Sequence, residues 1–206
     1  MRYFFRSVTL KDDKRRRIER FSEICAHAGP FAKTLMIDGL GPQASYIHFI
    51  LSSCTNLKTL ALYWTPEYDL SARAPAPVFP QEPPFQLQTF LLWNWGPDKE
   101  GLVEFVKTHR RSLVQLGIQV GHQELDCAFL QLRIFCGRTK QLASLLRSST
   151  SIRCYDATFR SSGLNVIARS IRALRLCRPS AALHHLSTNF PDMQFVEIRD
   201  VSAPVW

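Results

Sequence analysis

Apolar residues recur along this chain in one short pattern: an apolar residue, two spacers, a second apolar residue, one spacer and a third. The stretch CTNLKTLALYW shows it, with leucines at 57, 60 and 62. Alternation over the last positions is typical of a strand with one buried face. The pattern starts at residues 5, 32, 57, 87, 113, 152, 171 and 193. It therefore predicts eight short strands.

The spacing of these starts is more informative than the pattern, because 46% of the residues are hydrophobic and chance matches are common. Successive starts differ by 27, 25, 30, 26, 39, 19 and 22 residues. Most intervals lie in or near the period of leucine-rich repeats, roughly 20–29 residues. The interval of 39 is predicted to hide a degenerate copy, for which Phe129, Leu132 and Ile134 are the candidate.

The segments between the copies favour helices. KRRRIERFSEICAHAG places Ile18, Phe21 and Cys25 at helical spacing and ends in a glycine suited to a helix stop. Similar stripes occur in SYIHFILSSC, DKEGLVEFVKTH, RTKQLASLLRSS and PSAALHHLSTNF. One strand–helix unit cannot bury both of its faces, so stacked units must share a core.

The predicted fold is therefore α/β, an irregular leucine-rich-repeat solenoid with a parallel sheet and helices on the outer side. A doubly wound α/β domain is the alternative. It is disfavoured because the strands share one leucine pattern and no Gly-rich phosphate turn follows any of them.

A single domain is expected over residues 1–206, interrupted by a Pro-rich insertion at about 65–86. Six prolines lie between Thr65 and Phe85, and proline excludes an ordinary repeat helix. The Val78–Phe79 pair could pack back onto Trp64 or Trp93. A ligand motif for another domain is the alternative use of this segment.

Cysteine usage and the N-terminus indicate the cytoplasm or nucleus. The six cysteines are widely spread without a Cys-x-x-Cys pair, and no apolar run suits a signal peptide or a membrane span. Cys54 and Cys177 are predicted to be small buried hydrophobic residues. The closest metal-like grouping is Cys177 with His184 and His185, but its spacing is unlike that of zinc sites. No cofactor is expected.

A candidate partner-binding site follows from strand alternation. Residues beside the inward leucines point to the opposite face of the sheet. The middle of that outward set is apolar and aromatic, at Met36, Tyr63, Leu91 and Trp93. Aromatic anchors with a polar surround are typical of protein-binding hot spots. The alternative is that the Pro-rich insertion covers these rings.

The charge suggests a second kind of binding. The formal net charge is +9. Residues 2–20 carry eight bases and three acids, and residues 138–178 carry nine bases and one acid. Such stretches attract nucleic acid or acidic proteins, although a solvated cationic face is the simpler interpretation. The candidate anion-binding residues are Arg15, Arg16, Arg17, Arg172 and Arg175.

Catalysis is not indicated. The chain has no Gly-x-Ser-x-Gly, no phosphate loop and no His-Glu-x-x-His. A non-catalytic protein is therefore predicted.

Several stretches resemble the leucine-rich-repeat region of fungal F-box-like proteins, namely FFRSVTL, CTNLKTLALYW, RSLVQLGI, SIRALRL and FPDMQFVEI. The resemblance covers most of the chain. It implies the substrate-recognition part of a Skp–cullin–F-box ubiquitin ligase, acting on an unknown protein partner. Only four residues precede Phe5, so the F-box is absent and this chain alone is not expected to bind the Skp-type adaptor. A truncated gene product without independent function is an alternative.

Overall fold

The structure, a computed structural model, describes residues 6–11, 16–40, 44–64, 78–93, 99–118, 125, 127–149, 151–157, 169–177 and 186–199. The strands are β1 (Ser7–Lys11), β2 (Thr34–Leu40), β3 (Thr59–Trp64), β4 (Thr89–Trp93), β5 (Gln115–Ile118), β6 (Ile134–Gly137), β7 (Cys154–Ala157), β8 (Ala173–Cys177) and β9 (Phe195–Arg199). The helices are α1 (Arg16–Ala28), α2 (Ala44–Ser53), α3 (Lys99–Thr108), α4 (Thr139–Ser148) and the single turn α5 (Leu186–Asn189).

The protein is α/β, with a nine-stranded parallel sheet in which strand order equals chain order from β1 to β9. The eight strands predicted from the apolar pattern are all present, and the predicted parallel order is confirmed. None of the helices in the described ranges is long and apolar enough to cross a membrane.

The chain divides into two compact units, Met1–Leu113 and Val114–Trp206. The first contains β1 to β4 with α1, α2 and α3, and the second contains β5 to β9 with α4 and α5. The expectation of a single domain over residues 1–206 stays a prediction.

The core of the first unit lies between its strands and helices. The inward strand residues Leu35, Leu60 and Phe90 are at most 1% exposed, and Ile18 and Ile47 from the helices are fully buried. This is the arrangement that the helical stripes predicted. The free energy of folding gains about 1.5–3 kcal/mol from each such side chain relative to leaving it exposed.

The Pro-rich insertion contributes its C-terminal end to this core. Val78 and Phe79 are buried, and the Phe79 ring lies 4.6 Å from that of Phe105 in α3 and 6.2 Å from that of Phe90. The pair therefore packs on the helix side of β4. Residues 65–77 lie outside the described ranges, as does Phe5 of the first predicted copy.

A glycine joins α1 to the next segment. Helix α1 ends at Ala28, as the sequence predicted, and Gly29 opens a 3₁₀ turn that runs to Phe31. A Cβ on Gly29 would lie 2.7 Å from the backbone oxygen of Ser53 at the end of α2. Only a residue without a side chain allows α1 and α2 to approach this closely.

The second unit corrects the predicted degenerate repeat. The candidate was Phe129, Leu132 and Ile134, with Ile134 pointing inward. In the structure Ile134 pairs laterally with Gln115 and Cys154, which places it on the outer face. The repeat is shifted by three residues, and its first inward residue is Leu132.

The inward residues of β6 are Phe135 and Gly137, and the glycine explains the error. A Cβ at Gly137 would lie 2.6 Å from the Phe135 ring, so the large ring occupies the space of the missing side chain. The buried Tyr155 of β7 stacks on Phe135 and donates a hydrogen bond from its hydroxyl to the Gly137 carbonyl at 3.0 Å. With Leu132 as the start, the interval of 39 residues divides into 19 and 20.

Candidate functional site

The outer face of the first unit is arranged in rows by the parallel register. Each row takes one residue from each of β1 to β4. The rows are Ser7–Thr34–Thr59–Thr89, then Thr9–Met36–Ala61–Leu91, then Lys11–Asp38–Tyr63–Trp93. The four predicted partner-binding residues therefore fall in two adjacent rows, and the structure brings them together.

Tyr63 and Trp93 form a stacked pair. Their ring centroids are 4.6 Å apart and their planes differ by 3°. Both side chains are half-buried. The parallel register places the two residues directly opposite each other, and offset stacking of aromatic pairs stabilises such a contact by about 0.5–1.5 kcal/mol beyond burial. The pair is thus a flat, preorganised aromatic surface.

A carboxylate lies beside this pair. Asp38 is the lateral partner of Tyr63 on β2, and its side chain is exposed. Burial, and then the Asp38 carboxylate, raise the pKa of Tyr63 to about 12. The Tyr63 hydroxyl therefore keeps its proton at neutral pH and can donate a hydrogen bond.

The second row adds apolar surface next to the stack. Met36 and Leu91 are half-buried, and Ala61 between them is buried beneath its larger neighbours. A thioether and a leucine beside two rings give a mixed apolar face, which suits an apolar side chain of a partner.

Gly39 fixes the end of this surface. Its φ is 83°, and the β2–β3 register shifts between Asp38 and Leu40. Glycine adopts this left-handed conformation without strain, and the shift is typical of a β-bulge. The bulge lies immediately after Asp38, so regular pairing ends where the aromatic row ends.

The outer face of the second unit carries a row of charged residues. Asp156, Arg175 and Glu197 are lateral neighbours on β7, β8 and β9. The Arg175 Nε atom lies 2.9 Å from the Glu197 Oε2 atom. Arg175, a predicted anion-binding residue, therefore already faces a carboxylate.

The thiol on the same face is unreactive at neutral pH. Burial first, and then Asp156, raise the pKa of Cys136 to about 12. Cys54 in the first unit behaves alike, because burial raises the pKa of its thiol to about 12. Since the thiolate is the reactive form, burial disfavours nucleophilic chemistry at both cysteines. The predicted burial of Cys54 is confirmed, whereas the Cys177 side chain is not described.

The remaining predicted anion-binding residues are spread over both units. Arg17 is exposed on α1 of the first unit, and Arg172 is exposed just before β8 of the second. Arg15 lies outside the described residues, and Arg16 begins α1 without a described side chain.

Alternation along the strands already places Asp38 in the outward row beside Tyr63, although Asp38 is not among the predicted partner-binding residues. One exposed residue, Phe195, was missed by sequence reasoning. Phe195 is 56% exposed at the start of β9. The apolar pattern places Phe195 on the outer face. The residue type gives no indication of exposure, because a phenylalanine in an apolar strand is usually expected to be buried.

The metal-like grouping of Cys177 with His184 and His185 is not tested, because both histidines lie outside the described residues. Within the part of the chain that the structure describes, no three His, Cys, Asp or Glu side chains are grouped to hold a metal ion. Comparison of the chain with protein-family models, with curated proteins and with solved structures found no match.

Proposed function

We propose that this protein is a non-catalytic, leucine-rich-repeat-type solenoid that binds a protein partner through the outer face of β2 to β4. The observation that carries the proposal is the half-buried Tyr63–Trp93 stack, with Met36 and Leu91 in the adjoining row. The regular parallel order of the strands supports the repeat architecture.

The physical reason is preorganisation. Both rings are held by stacking and by strand register, so binding costs little side-chain entropy. Aromatic residues in such positions dominate binding energy at protein interfaces. The exposed Asp38 carboxylate and the protonated Tyr63 hydroxyl supply polar contacts that orient the partner.

The resemblance to the repeat region of F-box-like proteins supports a narrower version of the proposal. The partner would then be a ubiquitin-ligase substrate in the cytoplasm or nucleus, and the chain would supply recognition. Adaptor binding belongs to a segment that the resemblance does not include, so the proposal concerns recognition alone.

The test is quantitative affinity capture from cells, followed by measurement of the dissociation constant with the purified captured protein. Tyr63→Ala/Trp93→Ala is expected to weaken binding about 30-fold, which corresponds to about 2 kcal/mol for lost anchors. The matched control is Phe31→Ala/Phe49→Ala, which removes two exposed aromatic rings from the helix side. It is expected to leave the dissociation constant unchanged.

Equal binding by the wild type and the Tyr63→Ala/Trp93→Ala variant would refute the proposal. If that variant is unstable, Tyr63→Leu/Trp93→Leu keeps apolar cover over the sheet while removing the rings. Binding that survives both pairs of substitutions would place the partner elsewhere.

A further inference from the structure

The residue immediately before each strand is held in a backbone ladder. In the second unit, the Arg133 amide donates to the Val114 carbonyl at 2.8 Å, and the Arg153 amide donates to the Arg133 carbonyl at 2.9 Å. In the same way, the Arg172 amide donates to the Arg153 carbonyl at 2.9 Å, and the Gln194 amide donates to the Arg172 carbonyl at 2.8 Å. Arg133, Arg153 and Arg172 are called the arginine ladder below.

The three arginines occupy equivalent positions on successive strands, and all three are exposed. Neighbouring strands are about 4.8 Å apart, so the ladder spans about 10 Å along one edge of the sheet. Because the ladder bonds use only backbone atoms, they do not depend on the guanidinium groups. The ladder bonds therefore fix where these residues lie without specifying which side chain each one carries.

The first unit repeats the preference independently. Its ladder positions are Arg6, Lys33, Lys58 and Gln88, joined by the same carbonyl bonds. Six of the nine ladder positions in the two units are thus basic, although lysine and arginine are only 26 of the 206 residues. Basic residues are therefore frequent at these positions in both units.

The electrostatic field around the arginine ladder is positive. The described residues of the second unit contain nine bases and three acids. Of the acids, Asp156 is buried and Glu197 pairs with Arg175, so Asp192 is the remaining exposed carboxylate in this part of the structure. Such a field attracts polyanions and raises their association rate.

An exposed aromatic ring lies beside the end of the ladder. Phe195 directly follows the ladder residue Gln194, pairs laterally with Ala173 and is 56% exposed. Phe195 is one of several exposed aromatic residues in the described ranges, and its ring face is available for stacking. The basic stretch contains two other aromatic residues. Tyr155 is buried and offers no exposed ring for stacking, and Phe159 lies outside the described residues.

We propose that the arginine ladder and Phe195 bind a single strand of nucleic acid. Guanidinium groups bind phosphate oxygens through paired hydrogen bonds. Spread over about 10 Å, the three guanidinium groups can contact successive phosphates of one strand. Bases of a single strand are free to stack, and a cationic groove with an aromatic platform is how single strands are bound without sequence preference. A duplex or an acidic protein offers no base face to Phe195.

The experiment is fluorescence anisotropy with the full chain and a labelled 15-nucleotide oligouridine over a range of salt concentrations. The variant Arg133→Gln/Arg153→Gln/Arg172→Gln is expected to lower affinity at least 10-fold in low salt. It should also reduce the slope of log affinity against log salt by about 2, because each phosphate contact on a single strand contributes about 0.7. Phe195→Ser should weaken binding about 5-fold without changing the slope.

The matched control is Arg20→Gln/Arg110→Gln/Arg147→Gln, which removes three exposed arginines and the same charge. Equal losses in the two triple variants would show that net charge alone attracts the oligonucleotide, and would overturn the proposal. Absence of binding by the wild type, or equal affinity for a duplex of the same length, would also overturn it. If the triple variant is unstable, Arg153→Gln alone should reduce the slope by about 0.7.

Discussion

His109 is the buried ionisable residue whose environment most clearly constrains its protonation. It is fully buried at the end of α3, between the rings of Phe85 at 5.5 Å and Phe105 at 4.7 Å. Its Nδ1 atom accepts a hydrogen bond from the Leu87 amide at 3.4 Å, which assigns the ring proton to Nε2. Burial lowers its pKa to about 4. The residue is therefore a neutral component of the core.

The pKa of His109 predicts acid sensitivity. Above pH 6.5 the side chain is neutral in both the folded and unfolded states, so its full contribution to stability is present. As pH falls from 6.5 to about 4, the unfolded chain binds a proton that the folded state excludes, and about 3 kcal/mol of stability is lost. Urea unfolding at pH 7, 5.5 and 4.5 measures this loss.

His109→Phe should reduce the pH dependence in that window, whatever its effect on stability at pH 7. The control is His48→Gln, at an exposed position on α2, which should keep the wild-type pH dependence. Identical pH profiles for His109→Phe and the wild type would contradict the assignment.

The sequence could not identify His109 in this way. No catalytic motif surrounds His109, so the sequence offered no reason to single it out. Its burial depends on Phe85, which belongs to the end of the Pro-rich insertion. The aromatic site differs in this respect. Tyr63 and Trp93 were predictable as outward residues, but their stacking depends on β3 and β4 pairing without a register shift.

At the scale of elements, most strands and helices follow from alternation and helical stripes, because their inward positions carry large apolar residues. Strand β6 is the exception. Its inward Gly137 removes one of the three apolar positions, and the outward Ile134 supplies a misleading one. A local pattern cannot reveal that the Phe135 ring fills the space beside a glycine.

The junction of α1 and α2 provides a direct test of element packing. Gly29→Ala should destabilise the protein by about 2 kcal/mol, within the usual range for overpacking, because the added methyl meets the backbone oxygen of Ser53 at 2.7 Å. Backbone atoms cannot rotate away as a flexible side chain can. Chemical denaturation measures the change.

Glu23→Ala, at an exposed position on α1, is the control and should change stability by less than about 0.5 kcal/mol. The double variant Gly29→Ala/Ser53→Gly should remain destabilised, since the closest contact is to the Ser53 backbone. Recovery of stability in the double variant would mean that the Ser53 side chain sets the spacing instead.

At the scale of the whole molecule, burial is not uniform along the sheet. Val196 in β9 is 37% exposed. The residues in the same lateral row of the sheet, Leu174 in β8, Tyr155 in β7 and Phe135 in β6, are fully buried. Few buried contacts are typical of segments that open locally at low free energy. Among strands β6 to β9, β9 is therefore expected to open most readily.

Hydrogen exchange followed by mass spectrometry should therefore show faster exchange in β9 than in β6. The peptides to compare are those containing residues 195–199 and 134–137. Native conditions without denaturant are required, so that local opening is measured rather than global unfolding. Equal protection of the two strands would show that β9 unfolds only with the rest of its unit.

The backbone ladder has a consequence for how such a chain can change over evolution or in design. Its hydrogen bonds specify the location of the residue that precedes each strand and leave the identity of its side chain open. Substitution at one of these positions alters surface chemistry without altering the core, so a single change should have a small effect on stability. Positions on adjacent strands are close enough to couple, so changes at neighbouring positions need not be additive. A scaffold of this kind presents one variable surface position at each strand, about 4.8 Å from the next. Its binding specificity can be changed by substitutions at individual strands.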